Sequence, residues 1–132
     1  MRRVMTSPLL LDTHVFIWTL NESTRIRSVV RDQLSDPAQR VFVSAVSTWE
    51  IAIKVSMGKL PEPPGDLLAA LDQLGFERLP IEHEDTLLVQ SLPLHHRDPF
   101  DRLLIAQAKR QGSILVTQDQ QIPVYGIPVL KP

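Results

Sequence analysis

The sequence contains no cysteine. That excludes a disulfide framework, a thiolate zinc site and a cysteine nucleophile. It fits a reducing cytoplasm, the expected location. Long apolar runs are also missing. The longest near the start, Pro8 to Leu11, is far too short to span a bilayer, so no membrane association is expected. Met1-Arg2-Arg3-Val4-Met5 is basic, but no adequate apolar stretch follows it before Asp12, and no signal peptide is read. Nor is there an excess of one charge: 14 basic and 15 acidic residues leave a net −1. This is not the global signature of a nucleic-acid binder. If four acids were withdrawn to hold a cation, however, the 14 basic groups would face 11 acids, 15 less those four. Overall charge is therefore a weak argument against RNA or DNA.

What is present suits one ordinary globular domain. The 132 residues are 43% hydrophobic and 22% charged, enough to close one core. A flexible N-terminal tail is expected over residues 1–7 and one domain over 8–132, with Met5 an alternative start. Strand patterns fall at Pro8–Leu11, Val41–Ser44, Glu77–Ile81, Ser113–Thr117 and Ile127–Leu130. Helical patterns fall between them, at Val15–Leu20, Ser28–Leu34, Val46–Met57, Asp66–Leu74, Glu84–Leu92 and Pro99–Gln111. The last has Asp98 as N-cap, Pro99 at the first position and Gly112 past its end. Such alternation predicts an α/β fold with a central, mainly parallel sheet.

Four acids stand out by position. In an open α/β sheet, ligands bind beyond the carboxyl ends of the strands. Asp12 directly follows the first strand, Asp119 follows the fourth, and Glu50 lies on the helix after the second. Asp101 joins them only if its helix begins at the same edge. Each has a plainer reading as well. Asp12 suits an N-cap and Asp101 a dipole-complementing acid in a first turn. Asp119 suits a turn, and Ser47-Thr48-Trp49-Glu50 matches a capping box. The capping box weakens if Ser44 caps the helix instead, which leaves Glu50 a full turn inside it. Glu50 and Lys54 also form an i,i+4 pair. Clustered carboxylates repel one another, and a fold that keeps them needs a divalent cation. Oxygen ligands of this kind suit Mg²⁺ or Mn²⁺ rather than zinc, and the chemistry they support is water activation at a phosphoryl centre.

Leu10-Leu11-Asp12-Thr13-His14, then Val43-Ser44-Ala45-Val46-Ser47-Thr48-Trp49-Glu50-Ile51, form the first two segments of a familiar pattern. Arg97-Asp98-Pro99-Phe100-Asp101-Arg102-Leu103-Leu104-Ile105-Ala106-Gln107-Ala108 and Leu115-Val116-Thr117-Gln118-Asp119 complete it. Together these segments resemble the PIN domain, and within it the VapC-type ribonuclease toxins of toxin–antitoxin systems. The resemblance implies a three-layer α/β/α domain with about five strands and a Mg²⁺- or Mn²⁺-dependent endoribonuclease. It implies Asp12, Glu50, Asp101 and Asp119 as the acidic quartet, with Thr117 as a hydroxyl near the metal. It also implies a homodimer and an antitoxin partner. In the expected mechanism Asp12 and Asp101 hold the metal, Glu50 binds it or orients its water, and Asp119 acts through water or a second ion. After Asp119, Gln120-Gln121-Ile122-Pro123-Val124-Tyr125 departs from the regular pattern, and Pro123 threatens the turn.

Arg97 and Arg102 flank Asp98 and Asp101 and are candidate phosphate contacts; Lys54 and Lys59 are weaker ones. His95 and His96 read as ordinary surface histidines, since no partner ligand stands at metal spacing. Trp18 and Trp49 are expected in the core or a dimer contact. A haloacid-dehalogenase-like phosphatase would need a second acid where His14 stands. A response-regulator receiver would need an adjacent acid pair before the first strand. Neither pattern is present. The remaining alternative is a PIN-like module that binds RNA or protein without cutting.

Overall fold

The computed structural model describes residues 7–132. The expected tail at 1–7 lies, apart from Ser7, outside the described residues. Five short strands build one sheet: β1 (Leu9–Leu11), β2 (Val41–Ser44), β3 (Glu77–Leu79), β4 (Ile114–Val116) and β5 (Val129–Leu130). Their order is β3-β2-β1-β4-β5 and every pairing is parallel. The helices are α1 (Thr13–Asn21), α2 (Ser28–Ser35), α3 (Ala45–Ser56), α4 (Leu67–Gln73), α5 (His83–Leu88) and α6 (Pro99–Gln111). The region expected to be helical to Leu92 is α5 followed by a 3-10 turn at Val89–Ser91. No helix of the described residues is long and apolar enough to cross a membrane.

The central strands are apolar at every position except Ser44, at the end of β2, because the sheet is covered on both faces. Side chains alternate across it. Leu9, Leu11, Val41, Val43 and Val116 pack to one side with Val15, Phe16 and Val30. Leu10, Phe42 and Leu115 pack to the other with Leu104, Ile105 and Ala108 from α6. This gives the three-layer α/β/α arrangement expected from the sequence. Burying a Leu or Phe side chain contributes roughly 1.5–3 kcal/mol, and the continuous core fixes the strand ends with little play.

The topology places the site. From β1 the chain moves outward through β2 to β3, then returns to lay β4 on the other flank of β1. The direction of travel therefore reverses between β1 and β4, and a crevice opens beyond their carboxyl ends. A helix that feeds a parallel strand runs opposite to it. Helix α6 precedes β4, so it begins at that same edge. This is the element the sequence pattern could not orient, and it brings Asp101 to the crevice.

Polar ties lock the layers. Ser44 caps α3, its Oγ accepting from the Val46 N–H at 3.0 Å. The same hydroxyl donates to Gln107 Oε1 at 2.5 Å. Buried Gln107 then donates to Pro80 O and to Asp85, whose carboxylate also holds Arg110 and caps α5. Ser44, Gln107 and Asp85 are fully buried and hydrogen-bonded, as burial requires. The capping-box reading of Glu50 is thereby removed: the helix starts at Ala45, and Glu50 lies more than a turn inside.

Candidate active site

Five carboxylates line one cleft of about 540 Å³: the four candidate acids, each from a different part of the fold, and Asp98. Asp12 directly follows β1, Glu50 projects from α3, Asp101 sits in the first turn of α6, and Asp119 follows β4. Two of them are almost fully buried, Asp12 at 6% and Glu50 at 4% exposure. The buried bond from Thr13 Oγ1 to Ser47 Oγ, 2.9 Å, ties α1 to α3 beneath them.

Asp12 serves two purposes. It caps α1, with Oδ1 accepting from the His14 N–H at 2.9 Å, while Oδ2 accepts from Thr117 Oγ1 at 2.7 Å. The cap reading and the site reading therefore describe the same side chain. Thr117 also accepts the Asp119 N–H at 3.1 Å. Its buried hydroxyl, with one bond donated and one accepted, aligns two of the acids. Glu50 pairs with Lys54, Nζ to Oε2 2.5 Å. The i,i+4 pair anticipated from the sequence does form, but on a buried carboxylate rather than at an exposed surface.

The electrostatics of the cluster are unfavourable as it stands. Burial pushes the Asp12 carboxyl above its ordinary range, with Glu50 adding to the rise. Asp101 is pushed up to about 7, first by burial and then by the charges of Asp12 and Asp98. Lys54 is held above the usual lysine range by its bond to Glu50, with Asp98 and Asp101 nearby adding to the rise. Like charges held together in a partly dry cleft favour the protonated acids unless a cation is present. Hard oxygen donors at the mouth of a switch-point crevice fit a divalent ion such as Mg²⁺ or Mn²⁺.

Several residues differ from their expected roles. His96 is not a surface histidine. Its side chain is 14% exposed, and Nε2 lies 2.8 Å from Asp119 Oδ2 and 3.0 Å from Asp101 Oδ2. These three residues offer ligand atoms all within 4.8 Å of one another. The sequence signal was weak but present: His96 stands just before the Asp98-Pro99 cap, in the loop that enters α6 at the crevice. Arg102 is not a phosphate contact either. Its guanidinium donates to the carbonyls of Val89, Leu92, Pro93 and His96 and to Tyr125 Oη. Both terminal nitrogens are taken up by these bonds, leaving only the Nε–H, and the side chain staples the loop that carries His96. Arg97 is exposed and directly precedes Asp98, which lines the cleft. Trp49 is 52% exposed, edge-on to Phe100 at 5.1 Å, so it is not in the core, whereas Trp18 is buried beneath Arg25. Asp98 caps α6 through Phe100 N and Asp101 N. Pro123 does not spoil the turn. It opens a 3-10 turn to Tyr125, and Ile122 and Tyr125 are buried on either side of it.

Comparison with known proteins agrees with this architecture. The PIN domain family model matches residues 9–127. No match is found among curated proteins. Among solved structures, the chain is similar to the DNA-bound VapBC from Salmonella typhimurium, with a TM-score of 0.70 at 15% identity, covering 95% of this chain and 98% of that one. It is similar to VapBC2 from Rickettsia felis, bound to a promoter DNA fragment, with a TM-score of 0.69 at 14% identity, covering 92% and 96%. VapBC-5 from Mycobacterium tuberculosis gives 0.60 at 20% identity, covering 96% and 100%. At such identities the likeness concerns the fold.

Proposed function

Because the chain belongs to the PIN domain family, we propose that it is a Mg²⁺- or Mn²⁺-dependent endoribonuclease, the toxin of a type II toxin–antitoxin pair. One observation carries the nuclease reading: Asp12, Glu50, Asp101 and Asp119 line a single cleft, where Asp101 holds its proton to about 7. A divalent ion bound there supplies the charge that acidifies a water and stabilises the phosphoryl transition state. Asp12 and Asp101 are the residues to hold it, with Glu50 as a third ligand or as the acceptor for the water's proton. Asp119 is the fourth acid of the cleft and would act through water or a second ion. Thr117 donates to the Asp12 carboxylate and Lys54 to that of Glu50, which holds both acids in place. Arg97, exposed next to Asp98, suits a backbone phosphate. In this reading a metal-activated water would attack phosphorus and the P–O3′ bond would break, leaving a 5′-phosphate and a free 3′-hydroxyl.

The partners follow from the neighbours. The similar solved structures are VapBC complexes, which supports a cognate antitoxin for this chain. A homodimer and a cytoplasmic location belong to the same proposal, as does a single domain over 8–132. The test is cleavage of RNA by the purified chain with Mg²⁺ or Mn²⁺, with and without EDTA. Cleavage is expected only with the ion, and Asp12→Asn or Asp101→Asn should abolish it. RNA held intact in Mg²⁺ would favour a non-cutting PIN-like binding module instead, and wild-type rates in either variant would refute the quartet.

A further inference from the structure

His96 stands apart from the four acids, and its two ring nitrogens have different partners. Nδ1 accepts the backbone N–H of Asp98 at 3.1 Å. A neutral imidazole carries one proton, and a nitrogen that accepts does not hold it. The proton is therefore on Nε2. That nitrogen faces two acceptors at once, Asp119 Oδ2 and Asp101 Oδ2. The arrangement makes His96 an N–H donor shared between two carboxylates, with no lone pair on Nε2 to offer a metal.

The ring is also held from behind. The His96 N–H donates to Tyr125 Oη at 2.7 Å. Arg102 donates to the His96 carbonyl at 3.2 Å and to Tyr125 Oη at 3.3 Å. Asp119 needs this support more than its fellows. It lies in the loop beyond β4, and its other oxygen accepts only the local Gln121 N–H. Through His96, the carboxylate on that loop is linked to the first turn of α6.

We propose that His96 is a positioning residue: as an Nε2–H donor it ties Asp119 to Asp101 and presets the spacing of these two carboxylates for the ion. This rests on the metal-site reading above. Second-layer partners that orient ligands are worth about 10–100-fold in metal affinity.

The test uses the intact chain and Mn²⁺ binding by calorimetry, with no RNA present. His96→Ala should weaken binding by about 10–100-fold. His96→Gln keeps an N–H donor on a side chain of similar reach and should recover most of that loss. Nitrogen-15 imidazole spectra of the metal-free wild type should show the Nε2–H tautomer. Electron spin-echo spectra of the Mn²⁺-loaded protein should show no coordinated nitrogen. Circular dichroism checks that each variant folds; if His96→Ala does not, the Gln variant and the two spectra decide. Unchanged binding in His96→Ala would overturn the proposal. So would a folded Gln variant as weak as Ala, an Nδ1–H tautomer, or nitrogen bound to Mn²⁺. A wild type that binds no Mn²⁺ would overturn the metal-site reading itself, a result distinct from all of these.

Discussion

Replacing Asp101 by asparagine should stabilise the metal-free protein at about pH 8 and leave it nearly unchanged at about pH 4. Burial and the neighbouring Asp12 and Asp98 charges raise the Asp101 carboxyl from 3.8 to about 7. A carboxyl whose folded-state pKa is raised binds its proton more tightly in the native state than in the unfolded chain. Native protein then carries the extra proton between the two pKa values, and stability falls as pH rises from about 4 to about 7. Above that window the full penalty is present; below it there is none. Each pH unit corresponds to about 1.4 kcal/mol, so the penalty is at most about 4 kcal/mol. The side chain keeps 18% exposure, and water in the cleft screens part of the charge. The expected gain for Asp101→Asn is therefore about 1–2 kcal/mol at the higher pH, or roughly 3–8 °C in melting temperature for a chain of this length. Asparagine keeps an oxygen for the His96 N–H, so the hydrogen-bond pattern survives. Thermal melts in EDTA at the two pH values measure the effect. Adding Mn²⁺ at the higher pH should reverse the order, because ligand binding stabilises only the protein that binds. A variant no more stable than wild type at about pH 8, or equally stabilised at both pH values, would refute the electrostatic account.

Other expectations are narrower. Arg102→Met should lower stability by about 2–3 kcal/mol in urea denaturation, since it strands four loop carbonyls and the Tyr125 hydroxyl; weakened RNA binding at unchanged stability would restore a substrate role. Thr117→Val removes the donor to Asp12 Oδ2 and should weaken Mn²⁺ binding by about 10-fold or more, read by calorimetry. Ser44→Ala loses the α3 cap and the bond to Gln107 and should cost about 1–2 kcal/mol in the same denaturation assay. Trp49→Ala, at a half-exposed position, should leave the melting temperature within about 2 °C, because surface changes rarely exceed about 0.5 kcal/mol.

Much of this molecule was legible in one dimension. The apolar runs at Leu9–Leu11 and Val41–Ser44 and the helix signals around Asp98, Pro99 and Gly112 are local. Local propensity, period and capping determine them with little help from the rest of the chain. The same holds for the acids that follow strands: Asp12 and Asp119 lie where any parallel sheet presents its ligands. Strand ends were less legible. β3, β4 and β5 each come out shorter than their apolar runs, because a strand extends only where a neighbour pairs with it.

Tertiary structure decided the rest. Asp101 reached the crevice because α6 must run opposite to β4, a consequence of topology rather than of spacing. Glu50 could be told from a capping residue only once Ser44 was seen to cap α3. Arg102 and His96 exchanged their expected roles for the same reason. Their partners are distant in sequence, Tyr125 for one and Asp119 for the other, and no periodicity within the α6 region announces them. The sequence singled out the four acids as candidates, and the fold brought them to one cleft. How they are spaced and held, and what their crowding costs without a cation, depends on contacts that exist only after the sheet has closed.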